Sequence, residues 1–382
     1  MPEAFSLYLH LPYCARRCPY CDFNTYVVHS MPEQRYVEAV LREMAWASGE
    51  PSWQGRRIAT VFFGGGTPSL MPPETVATLI RAAEQHWGFA PDIEITLEAN
   101  PSSVEAARFA DLASAGVNRV SLGLQSLDNA VLQLLGRAHD VDEGLAALDV
   151  AQRTFGRVSF DLIYALPDQS LTAWEAELQR ALSFGTGHLS LYQLTIEPGT
   201  RFETLVRTGA LTPKDPDEAA EFFELTDAMT TEAGLPRYEI SNHARPGEES
   251  RHNLTYWRYG QYAGIGPGAH GRRGGMATLR HKKPENFLNA ISRNGHGTQS
   301  EDALSPTEQA REALLMGLRL RDGIDLFDIA RRTGTSPSDL IDGKAADQLT
   351  GYGLITRQDS RITVTPDGML LLDRILAELV AV

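Results

Sequence analysis

Cysteine is scarce in this sequence. Only three occur among 382 residues, and all three lie in one short loop, at positions 14, 18 and 21. An odd, clustered set excludes the disulfide framework typical of small secreted proteins. The segment Met1-Pro2-Glu3 also lacks the basic and apolar layout that begins a signal peptide. We therefore expect a protein of the reducing cytoplasm.

Long apolar runs and an excess of positive charge are missing as well. No run approaches the roughly 20 apolar residues that a transmembrane helix needs. The chain has 35 Lys and Arg against 49 Asp and Glu, a net charge of -14. A nucleic-acid-binding protein needs a basic face, so the composition predicts neither a nucleic-acid partner nor a transmembrane segment.

The three cysteines have the spacing C-x3-C-x2-C, at Cys14, Cys18 and Cys21. Thiolates are the usual ligands of iron–sulfur clusters, and a four-iron cluster normally takes four of them. Three would leave one iron with an open coordination site. Inert buried thiols are one alternative, and a structural zinc ion is another, since His10 or Asp22 could supply a fourth ligand.

Hydrophobic periodicity predicts six strand-then-helix units in series. Their strands lie near residues 5–11, 58–63, 93–97, 118–124, 158–163 and 189–194. Such a series forms a parallel sheet with helices outside it, and eight units would close a barrel. The expected fold class is therefore α/β, a partial (β/α)6 TIM-type barrel, with an open doubly wound sheet as the competing arrangement.

The pattern divides the chain into three segments. Residues 1–235 carry the barrel and the cysteine loop. Residues 236–304 are aromatic and rich in turns, and we interpret them as an extension of the barrel. Residues 305–382 begin with a capping-box sequence at Ser305 and continue as three helices, a hairpin and a last helix, which is typical of a winged-helix-like α+β module.

Unusual residues recur where the predicted strands end. The cysteine loop follows the first strand and the run Gly64-Gly65-Gly66-Thr67 follows the second. Glu98 and Gln125 close the third and fourth strands, and Asp161 lies on the fifth. Functional residues of parallel α/β folds gather at the carboxyl ends of the strands. We therefore predict one active site at that rim.

These motifs together resemble the radical S-adenosylmethionine (SAM) superfamily. Within it, the segments 8–14, 62–68, 97–101, 122–126 and 161–167 are similar to the oxygen-independent coproporphyrinogen III oxidase group. The resemblance implies a [4Fe–4S] cluster on Cys14, Cys18 and Cys21, with SAM chelating the fourth iron and being cleaved reductively. It also implies SAM-binding roles, carried over position by position, for Tyr8, Tyr20, Gly65, Gly66, Thr67, Glu98, Gln125, Arg137 and Asp161.

Two departures distinguish branches of this group. Oxidases of the group have a fourth cysteine two residues after the third, where this sequence has Phe23, and they carry an N-terminal extension, whereas 13 residues precede Cys14 here. Both departures resemble the HemW-type heme chaperones. The segment His252-Asn253-Leu254-Thr255-Tyr256-Trp257 is similar to a motif of that branch, which makes His252 a candidate heme ligand, with His243, His270 and His281 as lesser candidates.

The sequence thus predicts a heme chaperone that binds heme and a SAM-ligated cluster and passes heme to acceptor proteins. Oxidative decarboxylation of coproporphyrinogen is the enzymatic alternative, and another radical SAM reaction such as methyl transfer is a further one. An electron donor of the flavodoxin or ferredoxin type is an expected partner, and a homodimer is a possible assembly.

Overall fold

The computed structural model describes residues 4–382 as a large mixed sheet with helices on its outside and a small C-terminal module. Elements of the first segment are, in chain order, β1 (Phe5–Leu11), β2 (Tyr13–Cys14), β3 (Tyr26–Val27), α1 (Glu33–Ser48), β4 (Ile58–Gly65), α2 (Pro73–Trp87), β5 (Phe89–Ala99), α3 (Ser103–Ala106), α4 (Phe109–Ser114), β6 (Arg119–Gln125), α5 (Asn129–Leu134), α6 (Val141–Thr154), β7 (Arg157–Tyr164), α7 (Leu171–Ser183), β8 (His188–Gln193), α8 (Arg201–Arg207) and α9 (Pro216–Glu232).

Six parallel strands form the centre of this sheet. They run in the order β1-β4-β5-β6-β7-β8, so that each strand pairs with the next one of the series. This sequential order is that of a TIM-type barrel that stops after six units, and the predicted fold class is confirmed. The competing doubly wound sheet would reverse its strand order part-way.

Residues 236–304 continue the same sheet. Their elements are β9 (Asn242–Ala244), α10 (Arg251–Trp257), β10 (Tyr262–Ile265), β11 (His270–Arg273), β12 (Met276–Arg280), α11 (Pro284–Asn294) and β13 (Thr298–Ala303). Strand β9 pairs antiparallel with β8, while β10 pairs in parallel with β1 and leads into the antiparallel strands β11 to β13. The segment therefore flanks the six parallel strands on both sides.

The C-terminal module has its own hydrophobic core. It contains α12 (Pro306–Gly317), β14 (Ile324–Asp325), α13 (Leu326–Thr333), α14 (Gly343–Gly351), β15 (Ile355–Gln358), β16 (Arg361–Val364), α15 (Pro366–Met369) and α16 (Leu372–Leu379). The capping box at Ser305 is present, with Glu308 reciprocating. The third helix of this module, which the sequence predicts at about 336–350, spans Gly343–Gly351 instead, because Pro337 begins a separate 3-10 turn over Pro337–Asp339.

Alternation along β1 explains how the barrel presents polar groups to its interior. Phe5, Leu7, Leu9 and Leu11 are buried in the main hydrophobic core, and period-2 geometry turns the intervening residues to the opposite face. On that face the Ser6 hydroxyl bonds to Thr60 and Thr255, at 2.7 and 2.8 Å. Tyr8 and His10 belong to the same face, so β1 directs polar side chains toward the site.

Candidate functional site

The cysteine loop leaves the end of β1 and is held at both of its own ends. Strands β2 and β3 pair in parallel on either side of it, with Tyr13 opposite Tyr26. The three thiols are half-buried and none is in a disulfide. Within the loop, the Cys21 amide donates to the Cys18 carbonyl at 3.2 Å. The thiols are therefore displayed by a compact turn beside the carboxyl ends of the strands.

The glycine turn after β4 packs directly against this loop. The Gly66 amide donates to the Leu11 carbonyl at 2.7 Å, and the Thr67 amide donates to the Tyr13 carbonyl at 2.9 Å. A Cβ on Gly66 would lie 2.3 Å from the Tyr13 oxygen, which no real side chain tolerates. Close approach of two backbones is thus the physical reason for glycine at position 66.

A continuous hydrogen-bonded network joins two of the thiols. Thr67 Oγ1 lies 3.6 Å from Cys14 Sγ and accepts from Asn100 Nδ2 at 3.3 Å. Arg137 Nη2 donates to Asn100 Oδ1 at 2.7 Å, while its Nη1 lies 3.5 Å from Cys18 Sγ. Donors aimed at sulfur favour the thiolate over the thiol. Asn100 was not among the predicted site residues, although it lies in the 97–101 motif two positions after Glu98.

Burial favours the protonated form of two of the three thiols. It raises the pKa values of Cys14 and Cys21, with the Thr67 hydroxyl acting in the opposite direction on Cys14. Because only thiolates ligate metal, loading of the loop releases protons. Among residues 4–382, no three His, Cys, Asp or Glu side chains are gathered as they would be around one metal ion.

His10 is engaged elsewhere and is not free to complete a zinc site. Its Nε2 lies 3.1 Å from the Asn24 carbonyl, which can only accept, so Nε2 carries the proton. Nδ1 then accepts from the Tyr8 hydroxyl at 2.9 Å. Asn24 in turn donates to the carbonyls of Pro267 and Lys282. The network thus fixes the cysteine loop to the segment that carries β10 to β12.

Most of the predicted SAM ligands line one cavity of about 600 Å³, which we call cavity A. The residues it brings together are Cys14, Cys18, Cys21, Tyr20, Gly65, Gly66, Thr67, Glu98, Gln125, Arg137 and Asp161. Tyr192, which sequence reasoning missed, also lines it. Side chains from six strands and their following loops therefore converge, as the strand-end argument predicts.

Two carboxyl groups of cavity A have raised pKa values. Burial, followed by the charge of Asp161, raises the pKa of Glu98 to about 8. Burial also raises the pKa of Asp161 to about 6, although hydrogen bonds from Ser190 and Ser121 oppose it. Glu98 Oε2 accepts from the Gly65 amide at 3.1 Å. At neutral pH Glu98 is thus largely protonated, and its hydroxyl is able to donate.

Gln125 has a strained backbone at the end of β6. Its φ is +70°, and the register with β7 shifts between Leu122 and Gln125. Residues other than glycine that have such a φ are concentrated at functional sites, where the surrounding structure imposes the strained conformation. The bulge directs the Gln125 side chain back over Gly123, whose added Cβ would meet Nε2 at 2.9 Å.

A second and larger cavity of about 1220 Å³, cavity B, adjoins the first. It extends between the cysteine loop, the segment of β10 to β12 and helix α12. Gly65, Glu98 and Tyr192 line both cavities. Tyr8 lines cavity B and not cavity A, so it shares a cavity with two of the other predicted SAM ligands, Gly65 and Glu98, and is separated from the rest.

The structure separates the four candidate heme-binding histidines. His270 lines cavity B and is exposed there. His243 is buried against Thr230, at 2.9 Å from Nδ1, and neither it nor His281 lines either cavity.

His252 is buried below cavity B. It is 1% exposed, with Nδ1 at 2.7 Å from Thr60 Oγ1 and Nε2 at 2.7 Å from the Tyr256 hydroxyl. Its ring also stacks on Phe62 at a centroid distance of 4.9 Å. Both ring nitrogens are thus occupied and no ring edge faces the cavity. Ligation by His252 stays a prediction that requires two buried hydrogen bonds to break.

Comparison with known proteins agrees with this geometry. Residues 8–181 match the Radical SAM superfamily and residues 304–371 match the HemN C-terminal domain. The heme chaperone HemW of Escherichia coli is 37% identical over 97% of both chains. HemW of Mycobacterium tuberculosis is 36% identical over 99% of this chain and 95% of that protein.

The chain belongs to the HemW group of radical SAM proteins. A mitochondrial member of the superfamily from Bos taurus, radical S-adenosyl methionine domain-containing protein 1, is 45% identical over 84% of this chain and 74% of that protein. Coproporphyrinogen III oxidase (HemN) from Escherichia coli shares the fold, with a TM-score of 0.83 at 23% identity over 99% of this chain and 90% of that one. The resemblance inferred from the motifs is confirmed.

Membership of this group implies a SAM-completed [4Fe–4S] cluster, and the residues of the cysteine loop fit such a cluster. Three thiols without disulfide partners line cavity A together with Gly65 and Gly66 of the glycine turn. The buried Arg137 Nε has no partner among residues 4–382. Thiolates from one loop, each able to bind a different iron, are the donor set that such a cluster requires.

Proposed function

We propose that this protein binds heme in cavity B and delivers it to acceptor proteins, while cavity A holds the cluster and SAM. The main support for the proposal is cavity B itself, a large second cavity that shares lining residues with cavity A. The HemW relatives, 34–37% identical to this chain, are named heme chaperones. Ligand pockets commonly span about 300–1,000 Å³, so cavity B is large enough for a macrocycle.

The lining of cavity B suits a flat, apolar ligand with anionic substituents. Eight aromatic side chains line it: Tyr8, Phe23, Tyr26, Tyr192, Tyr256, Trp257, Tyr259 and Tyr262. Phe23, at 56% exposed, is an unusually open aromatic residue at its entrance. Arg17 and Lys282 also line the cavity, and neither makes an ion pair within residues 4–382. They are available to the two propionates of heme.

His270 is the best placed axial ligand. No side-chain hydrogen bond involves it among residues 4–382, in contrast to His252. Burial, followed by the charges of Arg272 and Lys282, lowers its pKa below the ordinary 6.5. The imidazole is therefore neutral at pH 7, the form that ligates iron.

The residues of cavity A position SAM rather than perform a step of their own. When bound, the cluster supplies an electron to the sulfonium of SAM. Gly65, Gly66 and Thr67 would hold its amino-acid end beside the thiols, and Glu98 would bond to a ribose hydroxyl. Gly65, Glu98 and Tyr192 line both cavities, so ligands bound in the two cavities would lie on either side of the same three residues.

Partners and location complete the proposal. Heme acceptor proteins and an electron donor of the flavodoxin or ferredoxin type are the expected partners. Among residues 4–382, no helix combines the length and apolarity required to span a bilayer. The free thiols of the cysteine loop are consistent with a cytoplasmic location.

Heme titration under anaerobic conditions tests this function. The cluster-loaded protein is expected to develop a Soret band with one heme per chain and then to lose it to an added apo-hemoprotein. The same preparation is incubated with coproporphyrinogen III, SAM and a reductant. Conversion to protoporphyrinogen without heme transfer would overturn the proposal in favour of the oxidase reaction.

A further inference from the structure

The cysteine loop borders a third depression, and seven of the twelve residues that line it belong to neither cavity A nor cavity B. It has a volume of about 510 Å³ and lies between the loop and helices α5 and α8, and Arg17 lines both this depression and cavity B. Cys18 and Cys21 form part of its wall. We call it the outer depression. It brings the cluster thiols close to the protein surface.

Positive charge is concentrated around the outer depression. Arg16, Arg17 and Arg201 line it, all three are exposed, and none makes an ion pair among the described residues. This is unusual for a chain whose net charge is -14. An acidic macromolecule would be repelled by most of the surface and attracted here, so the patch would orient its approach.

The depression also has an apolar centre. Leu134, at 41% exposed, and the half-buried Leu205 line it together with the arginines. An apolar centre with a charged rim enriched in arginine is the ordinary composition of a protein interface. A small inorganic anion would need only the arginines and would leave the leucines uncovered.

We propose that the outer depression docks a small acidic one-electron carrier protein that reduces the cluster. The step is a single-electron transfer: the reduced cofactor of the carrier loses one electron, the cluster accepts it, and no bond forms or breaks. Because Cys18 and Cys21 line the depression, a docked partner is separated from the cluster by little more than the loop itself. The proposal rests on the cluster, and it does not require that heme be the cargo.

Two residues allow the patch to be altered without touching either cavity. Gln133 and Arg201 line the outer depression only. The double variant Gln133→Glu/Arg201→Glu changes the charge of the patch by three units. Its matched control is Gln179→Glu/Arg180→Glu, which makes the same change at two exposed positions of α7 that line neither cavity nor the depression.

Two readouts are taken on the full chain, with a bacterial flavodoxin as the probe. Binding of oxidised flavodoxin is measured by calorimetry at low salt, with no turnover. Cluster reduction is then followed by stopped flow, with either flavodoxin hydroquinone or dithionite as reductant. We expect the patch variant to bind flavodoxin at least about tenfold more weakly and to be reduced by it about tenfold more slowly. Its reduction by dithionite should equal that of the wild type.

Several results would overturn the proposal. One is that the patch variant and the control bind flavodoxin equally well, and another is that flavodoxin neither binds nor reduces the wild-type chain. A third is that the oligomeric state of the patch variant alone is altered, which would assign the surface to a second copy. Heme titration of the same variants separates this proposal from the heme function. Loss of flavodoxin binding with normal heme binding supports it, whereas a chain that docks flavodoxin but binds no heme contradicts only the heme function.

Discussion

The guanidinium Nη1 of Arg137 lies 3.5 Å from the sulfur of Cys18, while Nη2 of the same group donates to Asn100 and to the carbonyl of Gly123. Two neutral acceptors thus fix the position of Arg137, and its positive charge lies beside one thiol of the cysteine loop. A fixed cation beside a cluster stabilises the reduced form, which carries one more negative charge.

Replacement of Arg137 should therefore make the cluster harder to reduce. For Arg137→Met we expect the midpoint potential to fall by about 60 mV, a tenfold change for a one-electron couple. An EPR-monitored redox titration measures it. Arg81→Met, at an exposed position of α2, serves as the control, and an unchanged potential in Arg137→Met would show that the contact has no electrostatic effect.

Gly66→Ala should disrupt the site through a backbone clash. The added methyl would lie 2.3 Å from the Tyr13 carbonyl, so the glycine turn and the cysteine loop must separate. We expect a loss of about 1–3 kcal/mol in stability and at least a tenfold weaker binding of SAM. Calorimetry of the reconstituted protein measures both.

Gly156→Ala is the matched control for that substitution. Gly156 precedes β7, and its added methyl would meet nothing within 4 Å. The control is expected to retain the stability and the SAM affinity of the wild type. Wild-type behaviour of Gly66→Ala would contradict the close packing of the two loops.

The raised pKa of Glu98 predicts that stability depends on pH. Between the ordinary value of 4.5 and the folded value of about 8, the folded state keeps a proton that the unfolded state has lost. The free energy of unfolding therefore falls as pH rises through that window. Urea unfolding of the metal-free protein from pH 5 to 8 measures the effect, and Glu98→Gln should reduce the slope.

Glu84→Gln provides the comparison for this pH dependence, because Glu84 is exposed on α2. Its slope should equal that of the wild type. If Glu98→Gln and Glu84→Gln behave alike, the Glu98 carboxyl does not hold a proton in the folded state.

A buried ion pair attaches the added strands to the barrel helices. Arg280 of β12 donates to Glu43 of α1, and the exposed fractions of the two side chains are 4% and 0%. Removal of one partner leaves a buried charge, so Arg280→Ala should cost about 3–5 kcal/mol. The double variant Glu43→Met/Arg280→Met removes both charges and should recover most of that loss. Thermal unfolding of the two variants distinguishes a buried pair from a neutral contact.

Much of the barrel and of cavity A could be predicted from the sequence. Alternation of apolar strands and helices predicted six parallel strands, and motifs at their ends predicted that Cys14, Gly66, Glu98 and Asp161 would share one rim. Both follow from local periodicity, together with the rule that parallel strands end at one edge.

The pairing of strands that are far apart in the chain could not be predicted from the sequence. Strand β10 lies beside β1, with Tyr8 opposite Gly264, and no local signal indicates a partner about 250 residues away. That pairing forms cavity B and moves Tyr8 into its wall. The burial of His252 also depends on a long-range contact, since the Thr60 hydroxyl at its Nδ1 comes from β4, whereas the Tyr256 hydroxyl at its Nε2 lies one turn further along the same helix α10.

Heme titration of His270→Ala tests the central claim most directly. The wild type should bind one heme with a defined Soret maximum at pH 7. His270→Ala should shift that maximum and weaken binding at least tenfold, about 1.4 kcal/mol, while His29→Ala, at an exposed position that lines neither cavity, should match the wild type. Identical spectra and affinities for wild type and His270→Ala, or no heme binding by the wild type, would contradict the assignment of heme to cavity B.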